Sequence, residues 1–207
     1  IRWKRRTKLK FTFMTEVSLN LADDDELLNL MKEAGFNFVF IGLETPSKES
    51  LNECGKFQNK SRDLVSSVQK IQNSGLEVAA GFIVGFDNDD ETIFDRQIEF
   101  IQKTGVVVAM VGLLQALPGT KLYKQMKDGL WTEATEKERI EEIHTLIKEL
   151  QIPITINSGT STSSVQFEVK LPEDKDEILG KLDYILDHFT DHMEQSLENW
   201  RHQMRSV

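Results

Sequence analysis

The chain has 207 residues, of which 39% are hydrophobic and 29% charged, and its formal net charge is −9. This length allows one sizeable hydrophobic core, with or without an appendage. The acidic balance argues against nucleic-acid binding by the chain as a whole, because such binding depends on positive charge. We interpret the short basic patch at the start as a solvated edge or linker; it consists of Arg2, Lys4, Arg5, Arg6, Lys8 and Lys10.

Cysteine content and apolar runs indicate the setting of the protein. Cys54 is the single cysteine, which excludes an intramolecular disulfide and any multi-thiolate metal site made from this chain alone. A reducing, cytoplasmic location fits best. No apolar run reaches the roughly 18–20 residues needed to span a bilayer, so we predict neither a membrane span nor a signal peptide.

Three times the sequence passes from a predicted helix through a glycine into an apolar strand, at Gly35, Gly75 and Gly105. A glycine at a helix C-terminus can adopt the left-handed conformation that closes the last turn. An apolar run directly after it is typical of a parallel strand buried on both faces. The repeat therefore predicts successive β/α units. In chain order these are strand 11–15, a helix from 23 to 34, strand 37–43, polar stretch 47–60, helix 61–73, strand 77–84, helix 91–103 and strand 106–114.

The regular alternation of predicted strands and helices ends after residue 114, and a domain boundary is expected near residue 131. A convincing amphipathic helix is predicted over 136–150, and Pro172 with the acids after it favours a long helix from 172 to about 204. The other predicted elements are a short helix 121–127, a strand 153–157, a polar loop 158–164 and an edge strand 165–170.

Polar groups follow four of the predicted strands. They are Glu16 with Ser18 and Asn20, Glu44 with Thr45, Gly85 with Asp87, and Gln115 with Pro118. A carboxylate at such a position can accept hydrogen bonds from an amine or a ribose diol in a partly desolvated mouth. Glu16 and Glu44 directly follow strands and are not in obvious capping positions, so we favour a functional role for both. The acids at 87–90 are better explained as helix-start residues.

Two glycines, Gly81 and Gly85, flank an apolar pair within one strand. A glycine inside a strand marks the close approach of another group. A flat ligand ring over the backbone and tight packing of a neighbouring helix both explain it. The sequence contains neither a GxGxxG motif nor a P-loop, so no phosphate cradle is predicted.

Several of these segments resemble the radical S-adenosylmethionine (SAM) enzyme family, over residues 3 to 131. Residues 81–87 with Glu91 resemble its GxIxG strand and trailing acid, and residues 117–123 look like its PGTxLY segment. Residues 15–23, 40–46 and 53–59 resemble the subgroup that carries an N-terminal cobalamin-binding domain.

The resemblance implies a fold and a site. The fold class is α/β, namely the C-terminal units of a partial (β/α) barrel in residues 1–131 with a mainly helical extension in residues 132–207. In that family the barrel mouth holds SAM and a four-iron four-sulfur cluster, and reductive cleavage of SAM gives a 5′-deoxyadenosyl radical. Cobalamin and methyl transfer to a small-molecule substrate belong to the subgroup. The resemblance implies that Glu16 and Ser18 lie near SAM and that Glu44 faces its ribose or its amino acid part. It also implies that Ile83 and Gly85 lie along the adenine and that Gln115 to Leu117 line the far wall of the pocket.

The chain departs from the family in one respect, since the cluster-binding CxxxCxxC segment and the first two barrel units are missing. With Ile1 at the start, truncation is the simplest account, and we expect the chain to pair with the missing N-terminal half or a second copy. A cluster-free degenerate barrel that serves as a binding or scaffold module is the alternative. An unrelated aldolase-like barrel ranks last, because no lysine stands within the strand-end motifs.

Overall fold

The computed structural model describes residues 1–2, 6, 10–56, 59, 61–86, 92–159, 163 and 165–204. Its strands are β1 (Phe13–Val17), β2 (Phe36–Glu44), β3 (Glu77–Val84), β4 (Val108–Leu113), β5 (Ile154–Asn157) and β6 (Glu168–Leu171). Its helices are α1 (Asp25–Ala34), α2 (Lys48–Glu53), α3 (Leu64–Asn73), α4 (Ile93–Thr104), α5 (Lys121–Lys127), α6 (Glu136–Glu149), α7 (Lys175–Asp187) and α8 (Asp191–Met204). Parts of the basic start, the acids 87–91 and most of the polar loop 158–164 lie outside the described residues.

The strands form one six-stranded sheet in which chain order and spatial order are the same. Strands β1 to β5 pair in parallel, and β6 pairs antiparallel with β5. Helices connect the parallel strands, because parallel neighbours need a crossover connection. The predicted α/β fold with successive β/α units is therefore confirmed, and the carboxyl ends of the parallel strands meet at one edge.

The predicted helix-ending glycines have the expected backbone conformation. Gly35, Gly75 and Gly105 have φ values of 102°, 91° and 62°. Gly35 closes α1, with its N–H donating to the carbonyls of Lys32 and Met31. Each helix thereby turns directly into the strand that follows it.

The two faces of the sheet differ in burial. On β2, Val39, Ile41 and Leu43 are 0%, 1% and 0% exposed, whereas Phe38 and Phe40 on the other face are only half-buried. The prediction that the strands are buried on both faces is therefore wrong for β2, whereas the consecutive residues Val78, Ala79 and Ala80 of β3 are all buried. Helices cover one face. We call the other the open face; it carries Glu16, Phe40 and Ala79 in register, and Gly42 paired with Gly81.

Three predicted segments differ from the observed helices. The stretch 47–60 contains α2, whose N-cap Ser47 accepts a hydrogen bond from the backbone N–H of Ser50. The helix predicted over 61–73 begins at Leu64, because Asp63 is its N-cap. The long C-terminal helix is two helices, α7 and α8, and the second starts beyond Thr190, whose hydroxyl accepts a hydrogen bond from the N–H of Met193.

The C-terminal helices are attached to the rest of the chain by two different means. Ile178 and Leu182 of α7 belong to the hydrophobic core. By contrast, α8 is attached through charge: Arg201, 3% exposed, has its Nε 2.5 Å from Oε1 of Glu136 and its Nη1 2.5 Å from Oε2 of Glu133. Glu194 of α8 accepts hydrogen bonds from the first backbone N–H groups of α6.

Among the described residues, no helix is long and apolar enough to cross a membrane.

Candidate functional site

An open hollow of about 420 Å³ lies at the carboxyl ends of β1 and β2. In parallel β/α proteins this edge of the sheet is where ligands bind. The hollow is lined by Glu16, Val17, Ser18, Leu19, Phe40, Gly42, Glu44, Lys56 and Asn59. Three of the residues predicted from the sequence, Glu16, Ser18 and Glu44, are therefore brought together.

Glu44 is the most constrained residue of the hollow. It ends β2 with φ at 68°, in the left-handed region that non-glycine residues seldom occupy. Its Oε1 lies 2.9 Å from Nζ of Lys56, and the two side chains are 14% and 34% exposed. Residues held in such conformations cluster at ligand-binding and active sites, where the surrounding structure maintains them.

Gly42 provides the space for this ion pair. A Cβ built at position 42 would collide with Oε1 of Glu44 and would lie 3.0 Å from Nζ of Lys56. The Lys56 ammonium also lies 3.5 Å from the carbonyl oxygen of Gly42. The absence of a side chain at position 42 thus lets both charged groups lie back against β2.

Asn59 contributes a buried carboxamide. The residue is 2% exposed, and neither Oδ1 nor Nδ2 has a hydrogen-bond partner among the described residues. Leaving a buried polar group unpaired costs about 1–3 kcal/mol per group. Such a residue in a protein calls for an explanation, and here it lines a hollow of ligand size.

An ionic contact fixes the segment that carries Asn59. The guanidinium of Arg62 binds both carboxylate oxygens of Asp23, with Nη1 2.8 Å from Oδ1, and Nη2 lies 3.4 Å from Oδ1 of Asn20. The hydrogen bonds from Arg62 hold the pKa of Asp23 below its usual 3.8. This contact connects the segment just after Asn59 to the turn that follows β1.

The four remaining predicted residues are not among those that line the hollow. Ile83 lies on the open face of β3, and Gly85 follows that strand with φ at 95°. Gln115 is half-buried and Leu117 is 41% exposed, both in the loop after β4. They occupy the same edge of the sheet, at the ends of the next two strands.

The glycine at position 81 has an explanation that neither alternative foresaw. A Cβ there would lie 2.9 Å from Cζ of Phe40, so the phenyl ring of the neighbouring strand covers the backbone of Gly81. Lys56 and Asn59 also line the hollow but were not predicted as site residues, although both stand in the segment 53–59 that carried part of the resemblance. A lysine and an amide within that short motif were the available signal.

Cysteine chemistry is absent from this site. Cys54 is a free, exposed thiol that donates to the carbonyl oxygen of Leu51, and desolvation raises its pKa. No group of three or more His, Cys, Asp or Glu side chains that could hold a metal occurs in the described part of the chain. With one cysteine in 207 residues, the chain does not itself fit a four-iron four-sulfur cluster.

The fold and the hollow define a β/α protein with a hollow lined by charged and polar side chains at the carboxyl edge of its parallel strands. Residues 2–101 match the model of the radical SAM superfamily. The resemblance to this family that the motifs predicted is therefore confirmed.

The chain is also similar to curated proteins in sequence and to a solved structure in fold. The chain is 44% identical over 125 residues to an uncharacterized methyltransferase of Synechocystis sp., covering 60% of this chain and 23% of that protein. It is 33% identical over 127 residues to the hopanoid C-2 methylase of Rhodopseudomonas palustris, covering 61% and 24%. An N-terminally deleted Elp3 of Methanocaldococcus infernus shares the fold, with a TM-score of 0.57 at 16% identity over 84% of this chain and 41% of that one.

Proposed function

We propose that this chain forms one wall of the SAM-binding site of a radical SAM enzyme. The observation that carries the proposal is the meeting of Glu16, Ser18 and Glu44 in one hollow at the carboxyl ends of adjacent parallel strands. The Ser18 hydroxyl does not cap the turn that follows it, so a local structural role of that kind does not account for it. Carboxylates and a hydroxyl suit the ribose and ammonium groups of SAM.

The charges of the hollow also suit this ligand. Glu16 and Glu44 contribute two carboxylates against the one ammonium of Lys56. SAM carries a sulfonium, an ammonium and a carboxylate, and is therefore a net cation. An acidic, partly enclosed site raises the local concentration of a cationic ligand.

The adenine ring is proposed to lie across the ends of β3 and β4. Ile83 offers an apolar side chain on the open face, and Gly85 leaves the backbone accessible. The loop after β4 would close the far side through Gln115 and Leu117. In this arrangement the binding site continues from the hollow along the carboxyl edge of the sheet, and the strands keep their positions.

The cluster and the radical chemistry belong to the proposal for the whole protein. The chain spans about a quarter of the curated relatives that it matches, with 23% and 24% of their lengths aligned. Cluster ligands would come from outside these 207 residues, in an N-terminal part of the same protein, because the chain has one cysteine. For these residues themselves the proposed role is to bind and orient SAM.

Methyl transfer to a small-molecule substrate is the proposed outcome for the whole protein. The relatives named as a methyltransferase and a methylase support it. Cobalamin is the proposed methyl carrier. Residues 1–131 are proposed as units of the barrel, and residues 132–207 as its extension. The proposed location of the protein is the cytoplasm.

Calorimetric titration of the intact protein with SAM, under anaerobic conditions, tests the proposal. Glu44→Gln should weaken SAM binding about tenfold or more, since hydrogen bonds to charged groups contribute about 1.5–3 kcal/mol. Glu149→Gln, an exposed carboxylate at the end of α6, is the control and should bind like the wild type. Equal affinities in all three proteins would exclude Glu44 from the site.

A binding or scaffold module without a cluster is the second candidate, and the single cysteine favours it. Iron–sulfur reconstitution of the intact protein followed by measurement of 5′-deoxyadenosine separates the two functions. Release of that nucleoside supports the enzyme. Tight SAM binding without iron incorporation supports the module.

A further inference from the structure

We infer that helix α5 and the turn after it dock the protein on an anionic lipid surface. The helix follows β4 in the chain, so it begins at the carboxyl edge of the sheet, the edge at which the hollow opens. This inference goes beyond the proposed binding of SAM, because it concerns the surface beside the site. The residues that form this surface, called the α5 surface below, are Lys121, Lys124, Lys127 and Leu130.

The first observation is the exposure of Leu130. Helix α5 ends in a turn in which the backbone N–H of Leu130 donates to the carbonyl of Gln125 at 2.9 Å. Gly129 has φ at 72° there, and its N–H donates to the carbonyl of Met126 at 3.1 Å. In this helix-ending motif the residue after the glycine usually packs on an apolar side chain of the last turns. The corresponding positions hold Gln125 and Lys124, and Leu130 is 72% exposed, the highest value among the large hydrophobic residues that the structure describes as exposed.

The second observation is a row of lysines on one side of the helix. Lys121, Lys124 and Lys127 are spaced three residues apart, which places them side by side, and all three are exposed. None of them forms an ion pair with another residue of the described ranges. Segment 117–131 contains these three lysines and one acid, Asp128, so its net charge is +2 in a chain whose net charge is −9. The α5 surface therefore attracts anions locally, although the whole chain is acidic.

The third observation is that α5 contributes no side chain to the core. None of its seven residues is buried. The start of the helix is held by Thr120, whose hydroxyl accepts a hydrogen bond from the N–H of Tyr123 at 3.2 Å and donates one to the carbonyl of Leu117 at 2.6 Å. Packing within the chain therefore does not explain the side chains of the α5 surface, and they can make a contact outside it.

The arrangement of these side chains favours a lipid surface over a protein partner. Protein interfaces place apolar and aromatic residues at their centre and are depleted of lysine. On the α5 surface three lysines lie along the helix and the apolar Leu130 lies at its end. On a bilayer, lysine ammonium groups reach the lipid phosphates while apolar side chains enter the boundary with the acyl chains. Docking in this way turns the carboxyl edge of the sheet towards the membrane.

Sedimentation of the intact protein with lipid vesicles tests the inference. The wild type should bind vesicles that contain phosphatidylglycerol, should not bind vesicles of phosphatidylcholine alone, and should bind more weakly at raised salt. The triple variant Lys121→Gln, Lys124→Gln and Lys127→Gln should bind about a hundredfold more weakly, because each lysine contributes about fivefold in affinity at an anionic membrane. Leu130→Ser should bind about tenfold more weakly, because it loses the transfer of an apolar side chain out of water.

Matched controls separate the α5 surface from general effects of charge and hydrophobicity. The triple variant Lys103→Gln, Lys148→Gln and Lys181→Gln removes the same charge from exposed positions of α4, α6 and α7 and should bind like the wild type. Leu30→Ser, at a 43% exposed position of α1, is the control for Leu130→Ser. An unchanged circular dichroism spectrum shows that each variant is folded.

The outcomes decide the inference independently of SAM binding. Equal vesicle binding by the two triple variants, or no vesicle binding by the wild type, overturns it. Binding of the wild type to polyglutamate but not to vesicles would assign the α5 surface to an acidic protein and would overturn it as well. None of the substituted residues belongs to the proposed SAM site, so the calorimetric titration with SAM remains a separate test of the proposed function.

Discussion

The carboxylate of Glu44 lies in the space that a side chain on Gly42 would occupy, two residues earlier on the same strand. Position 42 therefore controls where this carboxylate rests, although glycine has no functional group. The register of the sheet changes between these two residues, since Gly42 pairs with Gly81 and Glu44 with Phe82. This bulge, together with the positive φ of Glu44, turns the carboxylate back over the strand.

Replacement of Gly42 by alanine should therefore separate binding from stability. The atoms that would meet the new methyl group are the far ends of the flexible Glu44 and Lys56 side chains, so we expect the fold to persist. The displaced ion pair should lower SAM affinity about tenfold, which calorimetry on the intact protein measures. Gly180→Ala, in α7 with open space around it, is the control. Unchanged SAM affinity in Gly42→Ala would contradict the assigned geometry.

The attachment of α8 predicts a local stability effect. Arg201→Ala removes the cation that contacts two carboxylates, Glu133 and Glu136, of which Glu136 is fully buried. Loss of one partner from a buried ion pair costs about 3–5 kcal/mol. Hydrogen exchange of the α8 amides should therefore accelerate markedly. Lys181→Ala, which breaks an exposed pair with Glu177, should change exchange very little, and equal protection in the two variants would disprove the role of Arg201.

The pKa of Asp23 predicts a dependence on pH. Its pairing with Arg62 lowers the folded-state pKa below 3.8. The carboxylate therefore stabilises the folded state above that value, and this contribution is lost as the pH falls through the folded pKa. Asp23→Asn should unfold at lower urea concentration than the wild type at pH 7, and the difference should shrink as the pH falls below about 4. A difference that stays constant with pH would rule out this linkage.

Cys54 is expected to have no part in iron binding. Desolvation raises the pKa of its thiol, so little thiolate is present at neutral pH. After iron–sulfur reconstitution, Cys54→Ser in the intact protein should contain as much iron as the wild type. Alkylation of Cys54 by iodoacetamide should be slow at pH 7 and faster above its raised pKa. A loss of iron in Cys54→Ser would show that this thiol is a ligand.

Patterns among neighbouring residues were enough to predict most of the secondary structure of the fold. The turn at Gly35 and the apolar strand after it depend on neighbouring residues, so the sequence predicted them well. Helix α2 was missed because it has only six residues and Leu51 is its one apolar side chain. The break between α7 and α8 was missed because neither glycine nor proline marks it, and only Thr190 provides a helix start.

Site residues that stand at the ends of strands could be predicted from the sequence. Glu16 and Glu44 each stand at the end of a strand, and the parallel sheet brings them to one edge. Lys56 and Asn59 reach the same hollow from a turn whose position depends on the contact between Arg62 and Asp23, which are 39 residues apart in the chain. No local pattern encodes such a contact.

Strand β6 runs against the five strands before it. A further β/α unit added there would meet a neighbour of opposite polarity, so parallel pairing does not continue past β5. The other edge of the sheet, along Phe13–Val17, keeps the common polarity. Another parallel strand could therefore be added to this sheet only beside β1.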